Sequence, residues 1–434
     1  MKKEEDSREK SLQALTAIFQ RGDFGLAITE AKKVIKDHQS ATAVNILALA
    51  HKRLGEIDRS IEIYENLLTN NPSNTMFLAN LGNIYSDQGR LTKARELFEK
   101  VLSVDANHIN AYLGLGNVYV MQAKNDLALR LYEKMQREVR DIPIEQLQKI
   151  NYRVAEIYRK GGEEHFDAAI KHYGLSNERL SLSHRLECIY RSKIEAVYVQ
   201  EAAALSELGH IDPLIATVQT HASIRYGFQD RNAFCTDSFR YISQSKLSAS
   251  EGFDRGLIDR LLALAHELES SPQALIDKGG QSAGNLFLLN DPAINKIKGI
   301  IESRITHYRE KYQQSQAGLI SKWPSQTTLL GWFIDLKKGG SLGSHMHKEG
   351  WLSGSLYLKL SKPEGSSEGN IIFDLDGGSY PTDGRVFPRK ELNIEEGDIV
   401  LFPSSIFHKT VPFNATERRV TLAFDIKPNL LVRS

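Results

Sequence analysis

Apolar residues recur at helical spacing through the first part of the chain, and the whole pattern repeats every 34 residues. The segment that begins at Thr75 aligns with the segment that begins at Ile109. An earlier copy begins at Ala41, and a looser copy covers residues 158–173. Each copy is therefore predicted to form two short amphipathic helices. The aligned positions carry similar residues in the same order: Leu81, Gly82, Tyr85, Gly89, Ala94 and Phe98 against Leu115, Gly116, Tyr119, Ala123, Ala128 and Tyr132.

Small and aromatic residues at fixed places in the repeat indicate helices that pack closely on their neighbours. Glycine and alanine allow the close approaches, and tyrosine and phenylalanine fill the space between helices. A 34-residue unit of this kind resembles the tetratricopeptide repeat family over about the first 175 residues. The resemblance implies an all-α solenoid, assigned to residues 1–180, whose concave groove holds an extended peptide or a partner helix.

The helical pattern continues past the repeats in a different form. Residues 181–225 are predicted to be a helical cap or linker, in which Pro213 opens one helix. Two further helices are predicted over 256–266 and 293–312. The glycine-rich segment 277–285 between them is predicted to be a loop, and it lacks the Gly-Lys-Ser/Thr ending of a phosphate-binding loop.

Strand signals dominate from residue 327 onward, in short runs bounded by turns rich in Gly, Pro, Asp and Ser. Short strands at fairly regular spacing predict a double-sheet jelly roll in residues 226–434, with the preceding helices against one sheet. The predicted fold class is multidomain α + β, an N-terminal all-α solenoid followed by a C-terminal jelly roll. The predicted strands are 328–336, 353–360, 371–374, 398–402 and 418–426.

The composition narrows the function classes. A net charge of +1 over 434 residues gives no general attraction to nucleic acid or to anionic membranes. Two cysteines without a Cys-x-x-Cys pattern indicate a reducing compartment and no disulfide framework. The charged N-terminus leads into no apolar signal region, and no run of about 18 apolar residues occurs. We therefore expect a cytoplasmic protein without membrane or nucleic-acid partners.

Three histidines in the strand-rich half are the candidate metal ligands. His345 and His347 project to the same side if their segment is extended, because successive side chains of a strand alternate. His408 follows the predicted strand 398–402. If two strands bring these rings together, they form one face of a metal site with open positions opposite. Imidazole suits Fe, Zn, Cu and Ni, and non-haem iron oxygenases use such an open face for cosubstrate and oxygen.

The surrounding residues carry a resemblance. His345-Met346-His347 with the following Trp351-Leu352-Ser353-Gly354, and the segment from Gly397 to His408, resemble the core of a bacterial family of 2-oxoglutarate/Fe(II) oxygenases. The segment from Thr410 to Asp425 completes the match, and members of this family are often fused behind tetratricopeptide repeats. The resemblance implies a double-stranded β-helix fold, with Fe(II) as metal and 2-oxoglutarate as cosubstrate.

The last predicted strand carries the candidate cosubstrate residues. In the related oxygenases an Arg-x-Ser/Thr pair on this strand holds the distal carboxylate of the keto acid. The resemblance assigns that role to Arg419 and Thr421, which lie two residues apart and face one side. Arg418 would then point outward, although a slip of one residue would exchange the two arginines. Tyr357 has two interpretations, a hydrogen bond to the cosubstrate or core packing.

The ligand set departs from the usual pattern of the wider superfamily, His-x-Asp/Glu with a distal histidine. Either iron takes the three imidazoles of His345, His347 and His408, or the register shifts and Glu349 supplies the carboxylate ligand after His347. The family motif favours three imidazoles. Glu349 stays the alternative, because a carboxylate ligand fits the rule of two histidines and one carboxylate.

The expected function is an Fe(II)/2-oxoglutarate-dependent dioxygenase that hydroxylates a protein or peptide recruited by the repeat groove. One alternative is a scaffold of interacting repeats with a non-catalytic metal-binding jelly roll. Another is a three-histidine dioxygenase that needs no keto acid, against which Arg419 and Thr421 argue. Solenoids and sheet edges both often self-associate, so the expected partners include a second copy of the chain in a homodimer.

Overall fold

The structure is a computed structural model, and it describes residues 2–38, 40–192, 195–268, 270–271, 273–360, 366–413 and 418–429. The chain divides into two compact units, Met1–Ser181 and Leu182–Ser434. The segment predicted as a cap or linker, 181–225, falls almost wholly in the second unit. No helix among the described residues combines the length and the apolar character needed to cross a bilayer.

The first unit is built from paired antiparallel helices. The pairs α3–α4, α5–α6 and α7–α8 begin at residues 41 and 57, 75 and 91, and 109 and 125, so each pair lies 34 residues after the previous one. The predicted repeat is therefore confirmed. The helices are α1 (Lys2–Gln20), α2 (Phe24–His38), α3 (Ala41–Arg53), α4 (Ile57–Asn70), α5 (Thr75–Asp87), α6 (Leu91–Val104), α7 (Ile109–Met121), α8 (Asn125–Glu138), α9 (Ile144–Gly161) and α10 (Phe166–Gly174).

The repeated spacing of small and aromatic residues follows from how these helices pack. Phe98 of α6 is fully buried between α5 and α7, close to Gly82 and Gly114. A Cβ atom at Gly116 would overlap the phenol of Tyr132 in α8. The repeat therefore needs a residue without a side chain wherever a neighbouring ring lies against the helix backbone.

Helices α14 and α15 of the second unit pack on one face of a large sheet. Residues Leu261 and Ile301, from α14 and α15, share one core cluster with Leu422 and Phe424 of the last strand. Burial of these apolar residues fixes the sheet against the helices, as predicted. The helices are α11 (Ser181–Arg191), α12 (Glu195–Glu207), α13 (Pro213–Tyr226), α14 (Arg255–Glu267), α15 (Pro292–Lys311) and α16 (Gly318–Ser321).

The strands form two antiparallel sheets, a seven-stranded one in the order β1-β8-β5-β10-β4-β3-β2 and a three-stranded one in the order β7-β6-β9. This agrees with the predicted jelly roll. The strands are β1 (Ser243–Lys246), β2 (Ser270–Ser271), β3 (Ile276–Ser282), β4 (Thr327–Leu342), β5 (Leu352–Lys359), β6 (Ile371–Asp374), β7 (Arg389–Leu392), β8 (Asp398–Pro403), β9 (Phe407–Thr410) and β10 (Arg419–Pro428).

The prediction of a loop over 277–285 is wrong for its first part, because that part forms strand β3. Its register against β4 shifts between Asp277 and Gly279. A Cβ at Gly279 would collide with the backbone carbonyl of Asp335 on β4. The glycines therefore mark a bulge and a close approach of two strands, where sequence alone indicates a loop.

Several short strands were also not predicted. Strands β1, β7 and β9 have four residues each. Strand β1 pairs with β8, and β7 and β9 both pair with β6. As a result His408, which was expected just past the predicted strand 398–402, lies within the separate strand β9. The hydrogen bonds from the partner strand, more than the local sequence, hold such short segments extended.

Candidate metal and cosubstrate site

Backbone pairing brings the three histidines together. His345 forms an isolated antiparallel bridge with His408, whose two N···O distances are 3.1 and 2.9 Å. The amide of His347 then donates to the carbonyl of Ser404 at 3.1 Å. The segment 345–347 therefore runs beside β9 as a further extended edge, and alternation places both of its imidazoles on the side of His408.

The three rings converge on a common point. Their ligand nitrogens lie within 4.8 Å of one another. The ring centroids are 5.0 Å apart for His345 and His347, 4.2 Å for His345 and His408, and 5.1 Å for His347 and His408. Within the part of the chain that the structure describes, this is the one cluster of such groups with the spacing of metal ligands.

Each of the three imidazole rings has an oxygen acceptor beside its Nδ1, and this determines which ring nitrogen can bind a metal ion. Nδ1 of His345 lies 2.8 Å from the carbonyl oxygen of Gly343, and Nδ1 of His408 lies 3.3 Å from that of Ile406. Nδ1 of His347 lies 2.6 and 2.8 Å from the two carboxylate oxygens of Asp425. Because these oxygens only accept, each Nδ1 donates a proton to them, and Nε2 is the nitrogen that can bind a metal ion. Metal-binding histidines are commonly held in this way.

The protonation states of the three histidines also favour the binding of a metal cation. Burial, together with the neighbouring His347, lowers the pKa of His345 to about 4. Burial and the two other histidines lower the pKa of His408 well below its usual value. Burial alone would lower the pKa of His347 as well, but the charge and hydrogen bond of Asp425 outweigh it, and that pKa is raised. Two of the three rings are therefore neutral at pH 7, the form that binds a metal ion.

Glu349 lies apart from this cluster. Its carboxylate forms an ion pair with the ammonium group of Lys427, and the side chain is 49% exposed. The neighbouring Lys348 approaches Nε2 of His184 in α11 at 3.2 Å. The turn after His347 thus directs its charged side chains away from the three imidazoles.

The last strand presents Arg419 and Thr421 to the same cavity as the histidines. The Arg419 side chain is only 3% exposed, and its guanidinium carbon lies 5.1 Å from the ring centre of Tyr357 on β5. Arg418 points to the other face and pairs with Asp335, with Nε 2.8 Å from Oδ1. Val420 packs with the helices on that other face. The strand therefore alternates between cavity and core along its length.

Two buried polar atoms at the deep end of the cavity have no partner among the described residues. They are Nε of Arg419 and Oγ1 of Thr421. Burial lowers the pKa of Arg419, with Tyr357 acting in the opposite direction. Buried polar atoms are rarely left without hydrogen bonds, so an unpaired guanidinium nitrogen beside an unpaired hydroxyl indicates a site for an anionic ligand.

The cavity that joins these groups has a volume of about 260 Å³. Arg419, Thr421 and Tyr357 lie at its buried end, whereas Leu275 at its mouth is 48% exposed. Further lining residues are apolar or carry amides: Gln273, Ala274, Ile276, Gln281, Trp332 and Leu342.

Comparison with known protein families agrees with this geometry. Residues 331–425 match the family described as "Putative 2OG-Fe(II) oxygenase". Residues 13–75 and 73–135 match two tetratricopeptide repeat families. The chain carries tetratricopeptide repeats and a domain of the 2OG-Fe(II) oxygenase family. None of the curated proteins matches the chain.

Solved structures resemble parts of the chain. The structure of pilF from Pseudomonas aeruginosa is 20% identical, with 47% of this chain and 93% of that chain aligned and a TM-score of 0.39. A tetratricopeptide repeat protein from Parabacteroides merdae is 14% identical, with 60% and 98% aligned and a TM-score of 0.40. A prolyl-4-hydroxylase from Pseudomonas putida is 16% identical, with 44% and 93% aligned and a TM-score of 0.32.

The residues present in the oxygenase domain fit the cofactors that its family implies. The Nε2 atoms of three imidazoles would suit a divalent iron ion. The unpaired atoms of Arg419 and Thr421 suit the distal carboxylate of 2-oxoglutarate. Both sets of groups line one cavity.

Asp425 is the residue of this site that sequence reasoning missed. It lies on the same face of β10 as Arg419, Thr421 and Ala423, at every second position. The alternation used to place Arg419 and Thr421 would also have placed Asp425 beside the histidines, had it been followed two steps further.

Proposed function

We propose that the oxygenase domain is an Fe(II)/2-oxoglutarate-dependent dioxygenase that hydroxylates a protein or peptide. The single observation that carries the proposal is the cavity in which three imidazoles face a buried arginine without a hydrogen-bond partner for its Nε. A metal site alone would not require that arginine, and an anion site alone would not require the histidines.

In this proposal His345, His347 and His408 hold the iron through Nε2, and Glu349 is not a ligand because its carboxylate pairs with Lys427. Arg419 and Thr421 hold the distal carboxylate of the keto acid, and the Tyr357 ring keeps the guanidinium in place. When bound, iron and 2-oxoglutarate supply the oxidation, in which O₂ converts a substrate C–H to C–OH while 2-oxoglutarate becomes succinate and CO₂. The apolar side chains that line the cavity, among them Trp332 and Ile334, help to exclude water during that reaction.

The tetratricopeptide repeats indicate a role in protein–protein interaction, and we infer that they recruit the substrate. Within the first unit, α5 and α7 line a cavity of about 380 Å³ whose walls include Asn80, Asn83 and Asn117. Amide side chains both donate and accept hydrogen bonds, so they suit the backbone of an extended peptide.

The enzymatic part of the proposal is tested by succinate production. The full-length protein with Fe(II), 2-oxoglutarate and ascorbate should release succinate slowly without substrate, and His408→Ala should abolish the release. Arg418→Ala serves as the control, because Arg418 lies on the other face of β10. Metal binding without succinate release would instead support a non-catalytic domain in a scaffold protein. Release that does not depend on Arg419 would contradict its proposed role.

The recruiting role is tested in the full-length protein with the double variant Asn83→Ala/Asn117→Ala. The variant should keep basal succinate release but lose the stimulation produced by a soluble protein extract. Asp126→Ala, in the first turn of α8 and outside this cavity, is the matched control. Equal stimulation of all three proteins would remove the case for recruitment by this groove.

A further inference from the structure

Asp425 lies behind His347, on the side of the ring away from the other two histidines, and hydrogen bonds surround its carboxylate. Its carboxylate accepts from Nδ1 of His347 at 2.6 and 2.8 Å and from the hydroxyl of Ser353 at 2.7 Å. The Ser353 hydroxyl lies 2.8 Å from that of Ser404, and both serines are fully buried. The amide of His347 also bonds to the Ser404 carbonyl. One network thus holds both the backbone and the ring of His347.

The surroundings leave little room for another arrangement. A Cβ at Gly350 would crowd the Ser404 hydroxyl and lie 3.4 Å from the carboxyl carbon of Asp425. The Asp425 side chain is 13% exposed and faces an imidazole, where a carboxylate without a functional partner would be costly. The hydrogen bond to Nδ1 determines both the tautomer and the orientation of the ring that presents Nε2.

The charge of the site gives this contact a second role. Three neutral imidazoles bring no negative charge to a divalent ion, whereas the usual set of two histidines and one carboxylate brings one. We propose that Asp425 is a positioning residue of the metal site, which fixes His347 and supplies from the next layer the negative charge that the three-histidine ligand set lacks. This inference rests on the proposed function, because it assumes that the three histidines bind the metal.

The inference predicts that removing the charge weakens metal binding without removing a ligand. In Asp425→Asn the side chain keeps its size and can still accept from Nδ1 but carries no charge. We expect the full-length variant to bind Co(II), used as a spectroscopic probe, about 10- to 100-fold more weakly than the unsubstituted protein. The visible absorption bands of bound Co(II) should also shift, because the basicity of His347 changes.

Asp335→Asn is the matched control. Asp335 is also a carboxylate of 13% exposure in the same sheet, but it pairs with Arg418 on the face away from the cavity. Its substitution should leave Co(II) affinity within about twofold and the spectrum unchanged. Ser353→Ala, which keeps Asp425 but removes one of its donors, should weaken Co(II) binding by less than Asp425→Asn does. It also provides a second test if Asp425→Asn fails to fold.

The possible outcomes distinguish a failure of the role of Asp425 from a failure of the proposal that the three histidines bind a metal. Equal Co(II) affinity and identical spectra for the unsubstituted protein and Asp425→Asn would overturn the role of Asp425 and leave the metal site standing. Equal losses in the Asp425 and Asp335 variants would reduce the effect to general destabilisation and also overturn it. Absence of Co(II) binding in the unsubstituted protein, or full binding by His408→Ala, would instead refute the three-histidine site itself.

Discussion

Replacement of Arg419 by alanine separates a role in ligand binding from a role in stability. Arg419 is 3% exposed, it lies over the ring of Tyr357, and its Nε has no hydrogen-bond partner among the described residues. A structural arginine at this depth would be expected to pair with a carboxylate. Even the more exposed neighbour Arg418 pairs with one, Asp335. The buried position instead leaves a cation ready for an anionic ligand.

The size of the effect follows from that environment. Removing one partner of a buried, hydrogen-bonded charge pair costs about 2–5 kcal/mol. Because about 1.4 kcal/mol corresponds to a factor of ten, Arg419→Ala should weaken 2-oxoglutarate binding by at least about 30-fold. The free energy of unfolding of the ligand-free protein should change by less than about 1 kcal/mol, because the cost of burying an unpaired cation disappears together with its packing contacts.

The assay is a titration of 2-oxoglutarate into the full-length protein in the presence of Mn(II), with a thermal melt of each ligand-free variant. Arg418→Ala is the neighbouring control. That residue is 41% exposed and belongs to an ion pair on the other face, so its loss should change ligand affinity by less than about twofold.

Two results would refute the reasoning. Equal affinity for 2-oxoglutarate in Arg419→Ala and Arg418→Ala would show that the buried guanidinium does not hold the keto acid. A loss of several kcal/mol in the stability of ligand-free Arg419→Ala would show that the residue serves the fold and that the unpaired Nε does not mark a ligand site.

Further predictions concern the metal, the repeats and the buried polar groups. A divalent metal at 100 times its dissociation constant should raise the free energy of unfolding by about 2.7 kcal/mol, EDTA should reverse this, and His408→Ala should not respond. Thermal melts should show that Gly116→Ala lowers the free energy of unfolding by about 1–3 kcal/mol, because its Cβ would overlap Tyr132. Gly299→Ala should raise it by up to about 1 kcal/mol, because Gly299 lies in α15 with open space around it. Burial lowers the pKa of His221 to about 4, partly opposed by Asp376, so below about pH 6.5 the unfolded chain binds a proton that the folded protein does not. His221 should therefore contribute about 2 kcal/mol to the fall in the free energy of unfolding between pH 7 and pH 5, and the fall measured by urea unfolding should be smaller by about that amount in His221→Gln; an equal fall in both proteins would contradict the assignment.

The periodic parts of the fold could be predicted from the sequence because they depend on local repetition. The 34-residue spacing of Gly82 and Gly116 placed the helix pairs of the first unit, since a ring packs against each glycine in the same way. Alternation along β10 likewise placed Arg419 and Thr421 on one face, because the strand pleat is a local property of the backbone.

The surroundings of the three histidines, by contrast, depend on contacts between residues far apart in the chain. Glu349 lies two residues after His347, but its pairing with Lys427 turns it away from the histidines. Asp425 lies 78 residues after His347. It approaches the His347 ring because β10 pairs with β5, the strand that follows the His347 segment. The short strands and the glycine-rich β3 are extended for the same reason, since their hydrogen bonds come from partner strands. Local sequence thus determined which residues share a face, and only tertiary pairing decided which faces meet, because the energy of those contacts exists only once the distant strands are side by side.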